Sequence, residues 1–278
     1  MPSFDAWREA FRRMVSAHEG LFAGTRGVEA RTVYEGVGEG GDRTLEIDRQ
    51  AEDLVFEELA SLHERGAQFT AVSEERGEVA FGDGSSPWRV VIDPIDGSLN
   101  ARRTIPSHSL SVAVASGGSL ADVKYGFVHD FGAGEEFAAE RHGGAWLNEE
   151  ELLARGPGYG LELVGIEASK PELIAPIVDR LAGKAFRIRS LGSLAISLCY
   201  VAAGRFDGLI SARQTRSVDI AAAQLIAREA GAVAKFDPFD LEDAHLSLDA
   251  RYEIAAALDE ELLGTLLEVQ REAAAQRA

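Results

Sequence analysis

Residues 90–97, Val-Val-Ile-Asp-Pro-Ile-Asp-Gly, run an apolar strand into two carboxylates three apart, Asp93 and Asp96. Pro94 fixes one backbone dihedral, so the turn is stiff and both side chains can face one cleft. Further acids stand where elements end: Asp48, the Glu74-Glu75 pair, and Asp219. Element ends are where a rigid scaffold presents chemistry. Carboxylates crowded in one cleft repel one another; they either share protons or bind a cation. Oxygen ligands without cysteine or clustered histidine suit Mg²⁺. Two such ions clamp a phosphate and activate water. Each acid alone also has an ordinary reading. Asp-Pro-Ile-Asp-Gly makes a turn, Ser-Glu-Glu a solvated pair, and Asp48 and Asp219 helix N-caps.

The elements that must carry these acids follow from periodicity. Phe4, Trp7, Phe11 and Met14 form one helical stripe over residues 4–18. A glycine-rich loop, GVGEGGDRTLEID, precedes a second helix that carries Ala51, Leu54, Val55, Glu58 and Leu62 on a 3.6-residue period and stops at Gly66. Asp48 falls at its N-cap or just before. FTAVSEE and RVVID read as strands, with EVAFGDGSSP as a flexible connection between them. SHSLSVAVA, ADVKYGFVHD and GEEFAAER read as sheet strands, and HGGAWLNEEE as a loop. The texture changes at RGPGYG, which divides the chain into residues 1–155 and 156–278. The second part reads LELVGIEA strand, PELIAPIVDRLAG helix opened by Pro171, FRIRS strand, SLAISLCYVAAG helix introduced by Gly192 and Ser193, and FDGLISA strand. VDIAAAQLIAREAG comes next as a helix capped by Gly231, then a YEIAAAL strand and a closing helix. Strands come in runs without regular strand–helix alternation, which predicts a layered α+β architecture.

Bulk properties restrict the partners. The chain has 278 residues, 46% of them hydrophobic, enough for one large core or two subdomains sharing one. Its net charge of −18 repels nucleic acid and anionic lipid, so neither is an expected partner. A small anionic substrate remains open, because a metal reverses the field inside a cleft. Only four of the 28 basic side chains are lysines, a bias that a salt-rich cytoplasm or genome composition would each explain. The single cysteine, Cys199, lies in an apolar run, excludes an internal disulfide, and reads as a small buried hydrophobe. The N-terminus lacks the apolar region of a signal peptide and no stretch approaches membrane-spanning length. A soluble cytoplasmic protein is expected.

The motifs taken together resemble the inositol monophosphatase and fructose-1,6-bisphosphatase superfamily of lithium-sensitive phosphatases. VVIDPIDGSLN resembles its apolar strand leading into DPIDGT-x-N. Ser73-Glu74-Glu75 resembles its GEE, VDIAAAQLIAREAGA its WDxAA-x-x-x-I-x-x-EAGG, and TLEID its T-x-x-D element. The likeness spans roughly residues 40–260. NARRTIP and SARQTRSVDIAA look like the archaeal-type branch that acts on both inositol phosphates and fructose 1,6-bisphosphate.

This resemblance implies a layered α-β-α-β-α sandwich and hydrolysis of phosphate monoesters with two or three Mg²⁺ ions per site. It implies lithium sensitivity and a homodimer. Glu74 matches a metal-bridging glutamate with a catalytic part, Asp93 and Asp96 the paired metal ligands, Ile95 a carbonyl ligand, and Asp219 the ligand from the second part. Asp48 and Ser98, at the motif's threonine position, match the pair that orients the attacking water. The N–H groups of Gly97 and Ser98 match a phosphate cradle, and Gly192 and Ser193 a GS element near substrate, whose helix adds its dipole toward phosphate or hydroxyl groups. Ser98, Ser73, Val218 and Ala232 depart from the pattern without removing a ligand, and Val218 stands to reshape the substrate wall. The inositol-contacting glutamate of mammalian-type members aligns near Ala212, which has no carboxylate. Arg187, Arg189, Arg213 and Arg216 are candidates for a second phosphate. The rival readings are a 3′-phosphoadenosine 5′-phosphate phosphatase and a nonenzymatic metal-dependent regulator.

Overall fold

A computed structural model describes residues 2–37, 43–168, 170–212 and 214–277. Arg213 and residues 38–42 of the glycine-rich loop lie outside the described residues. The chain opens with α1 (Phe4–Gly24), the ribbon β1 (Tyr34–Val37) and β2 (Arg43–Leu45), and α2 (Glu46–Glu64). Next are β3 (Phe69–Ser73), β4 (Gly77–Phe81), β5 (Arg89–Asp96) and the short α3 (Ser98–Arg103). Then come β6 (Ser109–Ala115), β7 (Val123–Asp130), β8 (Glu135–Glu140), β9 (Gly144–Leu147) and β10 (Glu150–Glu151). The remainder is β11 (Leu161–Glu167), α4 (Pro171–Leu181), β12 (Ala185–Arg189), α5 (Leu194–Ala202), β13 (Gly208–Ser211), α6 (Ser217–Glu229), β14 (Val233–Asp237), β15 (Glu253–Ala257) and α7 (Glu260–Arg277).

Period-2 alternation explains how the layers stack. On β5, Val90 and Ile92 face α1 and α2, where they meet Trp7, Phe11, Met14, Val55 and Leu59. Val91, between them, faces the opposite way, toward α5 and α6. Strand β6 repeats the division, with Leu110, Val112 and Val114 on one side and Ala113 and Ala115 on the other. An eight-stranded sheet, β10-β9-β8-β7-β6-β5-β3-β4, is therefore covered on both faces. Helices α5 and α6 also cover one face of the five-stranded sheet β12-β11-β13-β15-β14. Ile177, Leu181, Leu263 and Leu266 of α4 and α7 cover the other. The result is a five-layer α-β-α-β-α sandwich. Small residues let the middle layer meet the sheet closely where α6 crosses β7. Ala221, Ala222 and Ala223 of α6 are buried, and a Cβ on Gly126 of β7 would sit 2.6 Å from the Ala222 carbonyl oxygen.

Three stretches differ from the expectation. Arg43–Leu45, expected to lie in the glycine-rich loop, is β2 and pairs antiparallel with β1. Gly77–Phe81, expected to be a flexible connection, is β4 and pairs antiparallel with β3. Residues 144–151, read as a loop, supply β9 and β10 at the opposite sheet edge. β4 is an edge strand whose burial does alternate, with Val79 and Phe81 half-buried on the core and Glu78 and Ala80 exposed, but the run is only five residues long. β9 is a four-residue strand held between β8 and the two-residue edge strand β10. Among the described residues, no helix is long and apolar enough to cross a membrane.

Behind the site, α1 buries His18 completely. Its Nδ1 lies 2.8 Å from the Met14 carbonyl oxygen, and its ring stacks on Phe131, 5.8 Å between centroids. Burial pushes the His18 imidazole down from 6.5 to about 4. A lowered folded pKa means the unfolded chain binds the proton first, so this contribution is present above pH 6.5 and fades as pH falls toward 4. The integrated effect is about 3 kcal/mol. Urea unfolding of wild type and His18→Phe at pH 7 and pH 4.5 isolates it. Wild type is expected to lose stability relative to the variant on acidification, and parallel curves would refute the assignment.

Candidate active site

Asp93 and Asp96 would face opposite sides of a regular strand, because residues three apart do not share a face. A bulge resolves this. Asp93 stands opposite Ser111 and Asp96 opposite Ser109, so β5 spends three residues where β6 spends two. The extra residue brings both carboxylates to one side, and Pro94 has no N–H to lose from the ladder there. Beyond the bulge, Gly97 takes φ +86°, and a Cβ on it would lie 2.9 Å from the Ser107 carbonyl oxygen and 3.0 Å from that of Gly192. Glycine is required by conformation and by space.

The other acids arrive on helix starts and a strand end. Asp48 is the third residue of α2, and Asp219 the third of α6. The Asp219 carboxylate accepts the Arg216 backbone N–H at 3.0 Å. Asp48 likewise accepts from the Leu45 backbone N–H. Both therefore cap their helices from the third position rather than as N-cap residues, and this aims them at the cavity beside the helix starts. Glu74 comes directly after β3. The preceding Ser73 donates its hydroxyl to Glu52, a carboxylate 1% exposed on α2. Serine in the Ser-Glu-Glu motif thus ties this turn to α2.

One cavity of about 420 Å³ collects these groups. Asp48, Glu74, Glu75, Asp93, Ile95, Asp96, Gly97, Ser98, Gly192, Arg216 and Asp219 line it. Ser193 is buried beside it with its hydroxyl donated to Asp96. Arg187 and Arg189 do not line it. They lie on β12, an exposed edge strand, and donate to the backbone carbonyls of Phe186 and Ile188. Val218 is 1% exposed in the core between the sheets and is not among the lining residues, so the expected change of the substrate wall is not seen.

Among the described residues, no three acidic, histidine or cysteine side chains close to metal-ligand spacing. The chain's own donors engage the acids. Arg216 forms an ion pair with Glu74. Asp96 accepts the Ala195 N–H at 2.8 Å and lies 3.4 Å from the Leu194 nitrogen. The start of α5, expected to point its dipole at substrate, therefore spends these N–H groups on Asp96. Asp93 accepts the Ile95 N–H at 3.0 Å.

These donors do not neutralise the site. Burial, then Asp96, Asp219 and Glu74, push the Asp93 carboxyl well above the usual range. Burial raises Asp96 to about 7 against the pull of Ser193. Burial and then Glu75 raise Asp48 to about 7. The Asp48 Oδ1 atom is buried without a hydrogen-bond partner. An all-oxygen donor set of mutually repelling acids with an orphaned carboxylate oxygen fits a hard divalent cation.

Two further cavity residues escaped the sequence reasoning. Glu167 closes β11, and its signal was the one applied elsewhere, an acid at the end of an apolar strand. Asn100 lay inside the VVIDPIDGSLN motif without an assigned task.

A model of the inositol monophosphatase family matches residues 15–274. A fructose-1,6-bisphosphatase/inositol-1-monophosphatase of Methanothermobacter thermautotrophicus is 33% identical, covering 94% of this chain and 96% of the relative. Its counterpart from Thermococcus kodakarensis is also 33% identical, over 84% of each chain. A crystal structure described as an inositol monophosphatase-fructose 1,6-bisphosphatase superposes with TM-score 0.81 at 28% identity, covering 95% of this chain and 99% of that one.

Because its acids repel in the metal-free protein, Asp93→Asn is expected to stabilise that form by about 1–2 kcal/mol. Thermal unfolding in EDTA should show a higher Tm than wild type, and added Mg²⁺ should raise the wild-type Tm but not the variant's. A lower Tm in EDTA would contradict the crowding.

Proposed function

We infer that this chain, which belongs to the inositol monophosphatase family, is a Mg²⁺-dependent phosphate monoester hydrolase acting on inositol monophosphate and/or fructose 1,6-bisphosphate. The observation that carries the reading is the gathering of acids from four separate elements around one cavity. Relatives named for both activities support a dual range. Ala212 is wholly buried and offers no carboxylate to an inositol ring.

We assign Glu74, Asp93, Asp96, Asp219 and the Ile95 carbonyl to hold two or three Mg²⁺ ions; bound there, these would supply charge to offset that of the phosphate and would lower the pKa of a water. The chain supplies orientation and proton handling. Asp48, held near 7, is suited to take a proton from the attacking water at neutral pH, with the Ser98 hydroxyl as the second contact. The N–H groups of Gly97 and Ser98 are assigned to phosphate oxygens, where they stabilise charge that grows during in-line attack. Gly192 forms the facing wall, and Ser193 holds Asp96 in place. Arg216, already in the cavity lining, is the arginine we assign to a second phosphate. Arg187 and Arg189 receive no such task.

We read residues 1–155 and 156–278 as the two parts that meet at this cavity. The family resemblance supports a homodimer, and a lone buried cysteine suits a reducing cytoplasm. Against the nucleotide reading, no described lining residue is aromatic, so the cavity offers no ring to stack a base.

Phosphate release from inositol 1-phosphate, fructose 1,6-bisphosphate and 3′-phosphoadenosine 5′-phosphate, with and without Mg²⁺, tests the reading. Turnover of one or both sugar esters that requires Mg²⁺ is expected. Hydrolysis of the nucleotide alone would move the protein to that branch, and no hydrolysis at all would favour the regulator. Asp48→Asn is expected to lower kcat by about 10²–10⁴. A kcat within threefold of wild type would remove Asp48 from the proton-handling role.

A further inference from the structure

The peptide group between Leu191 and Gly192 is held at both ends by side chains, one from α3 just beyond β5 and one from the end of β11. Its carbonyl oxygen accepts Asn100 Nδ2–H at 2.6 Å. Its N–H, on Gly192, donates to Glu167 Oε2 at 3.0 Å. Asn100 sits on α3, directly after the β5 bulge, while Glu167 ends β11 of the five-stranded sheet. The other Glu167 oxygen accepts the Leu191 N–H at 2.8 Å and the Ser197 hydroxyl at 2.7 Å. Asn100 also donates to the Ser107 carbonyl at 2.8 Å. Gly192 takes φ +78°, and a Cβ there would stand 2.8 Å from Asn100 Nδ2, so the close approach depends on glycine.

The next three residues in the chain give the grip its purpose. Ser193, Leu194 and Ala195 all direct donors at Asp96. A shift of the 191–192 peptide would move those donors together. Glu167 is 6% exposed, so its charge is anchored by these N–H groups rather than by water.

We propose that Asn100 and Glu167 are positioning residues which pin the Leu191–Gly192 peptide between α3 and the end of β11 and thereby fix the Asp96 carboxylate for the divalent cation. The proposal rests on the Mg²⁺-dependent reading of the cavity. Neither residue needs to touch the phosphate ester. Groups that orient a metal-binding carboxylate act through affinity for the cation, and their loss costs about 10–100-fold.

The test is direct Mg²⁺ binding by calorimetry on folded wild type, Asn100→Ala and Glu167→Gln, then kcat and KM at saturating Mg²⁺. Both variants are expected to bind Mg²⁺ about tenfold or more weakly, while kcat recovers to within about threefold at saturating cation. Val114→Ala, buried on the far side of the eight-stranded sheet, controls for general destabilisation and should lower Tm while leaving Mg²⁺ affinity unchanged. Wild-type Mg²⁺ affinity in both pinning variants overturns the proposal, as does equal weakening in Val114→Ala. If either variant fails to fold, the other decides. Wild type that binds Mg²⁺ but hydrolyses neither sugar ester sinks the phosphatase reading alone, since the affinity comparison still stands. Wild type that binds no Mg²⁺ overturns both.

Discussion

The structure is organised around a repulsion. Asp96, Asp219 and Glu74 raise the proton affinity of Asp93, Asp219 raises that of Asp96, and Asp93 and Asp96 are almost wholly buried. A fold does not arrive at such an arrangement through burial of apolar surface, which favours keeping charges apart and wet. The rest of the molecule must hold it against its own preference. A one-residue bulge puts two acids on a single face of β5, and two helix starts bring Asp48 and Asp219 from distant parts of the chain. Local strain of this kind persists only where the surroundings over-determine it.

That over-determination is visible as layers. The eight-stranded sheet is sealed on both faces, so β5 cannot relax its bulge without disturbing two hydrophobic cores. On the other side of the cavity, the peptide ahead of α5 is held by Asn100 of α3 and Glu167 at the end of β11. The site is therefore set among packed helices and strands rather than on a loop. Such settings favour precise placement of ligand-binding groups.

Much of this was legible in the residues. The β5 motif, Ser-Glu-Glu and the Asp219 helix all fall at element ends, and the acids line one cavity. Helices with strong stripes, such as the one carrying Trp7, Phe11 and Met14, were readable because burial writes a 3.6-residue period. The short strands β4 and β9 were not, since four or five residues leave too few repeats to read, even where, as in β4, burial does alternate. The arginines were the hardest to read. Arg187 and Arg189 share a strand with exposed apolar neighbours, and only three-dimensional placement separates them from Arg216. Asn100 and Glu167 eluded assignment because the partners they share, the backbone atoms of Leu191 and Gly192, lie more than twenty residues away, which no side-chain pattern records.

The alanine layer between the sheets also governs how finely the acids are placed. Where α6 crosses β7, Gly126 and Ala222 leave backbone against backbone, with no flexible side chain to act as a cushion. That contact limits how far α6, which carries Asp219, can shift toward β7. A single methyl group introduced at that crossing would press on the helix and disturb the setting of Asp219 without altering any residue that lines the cavity.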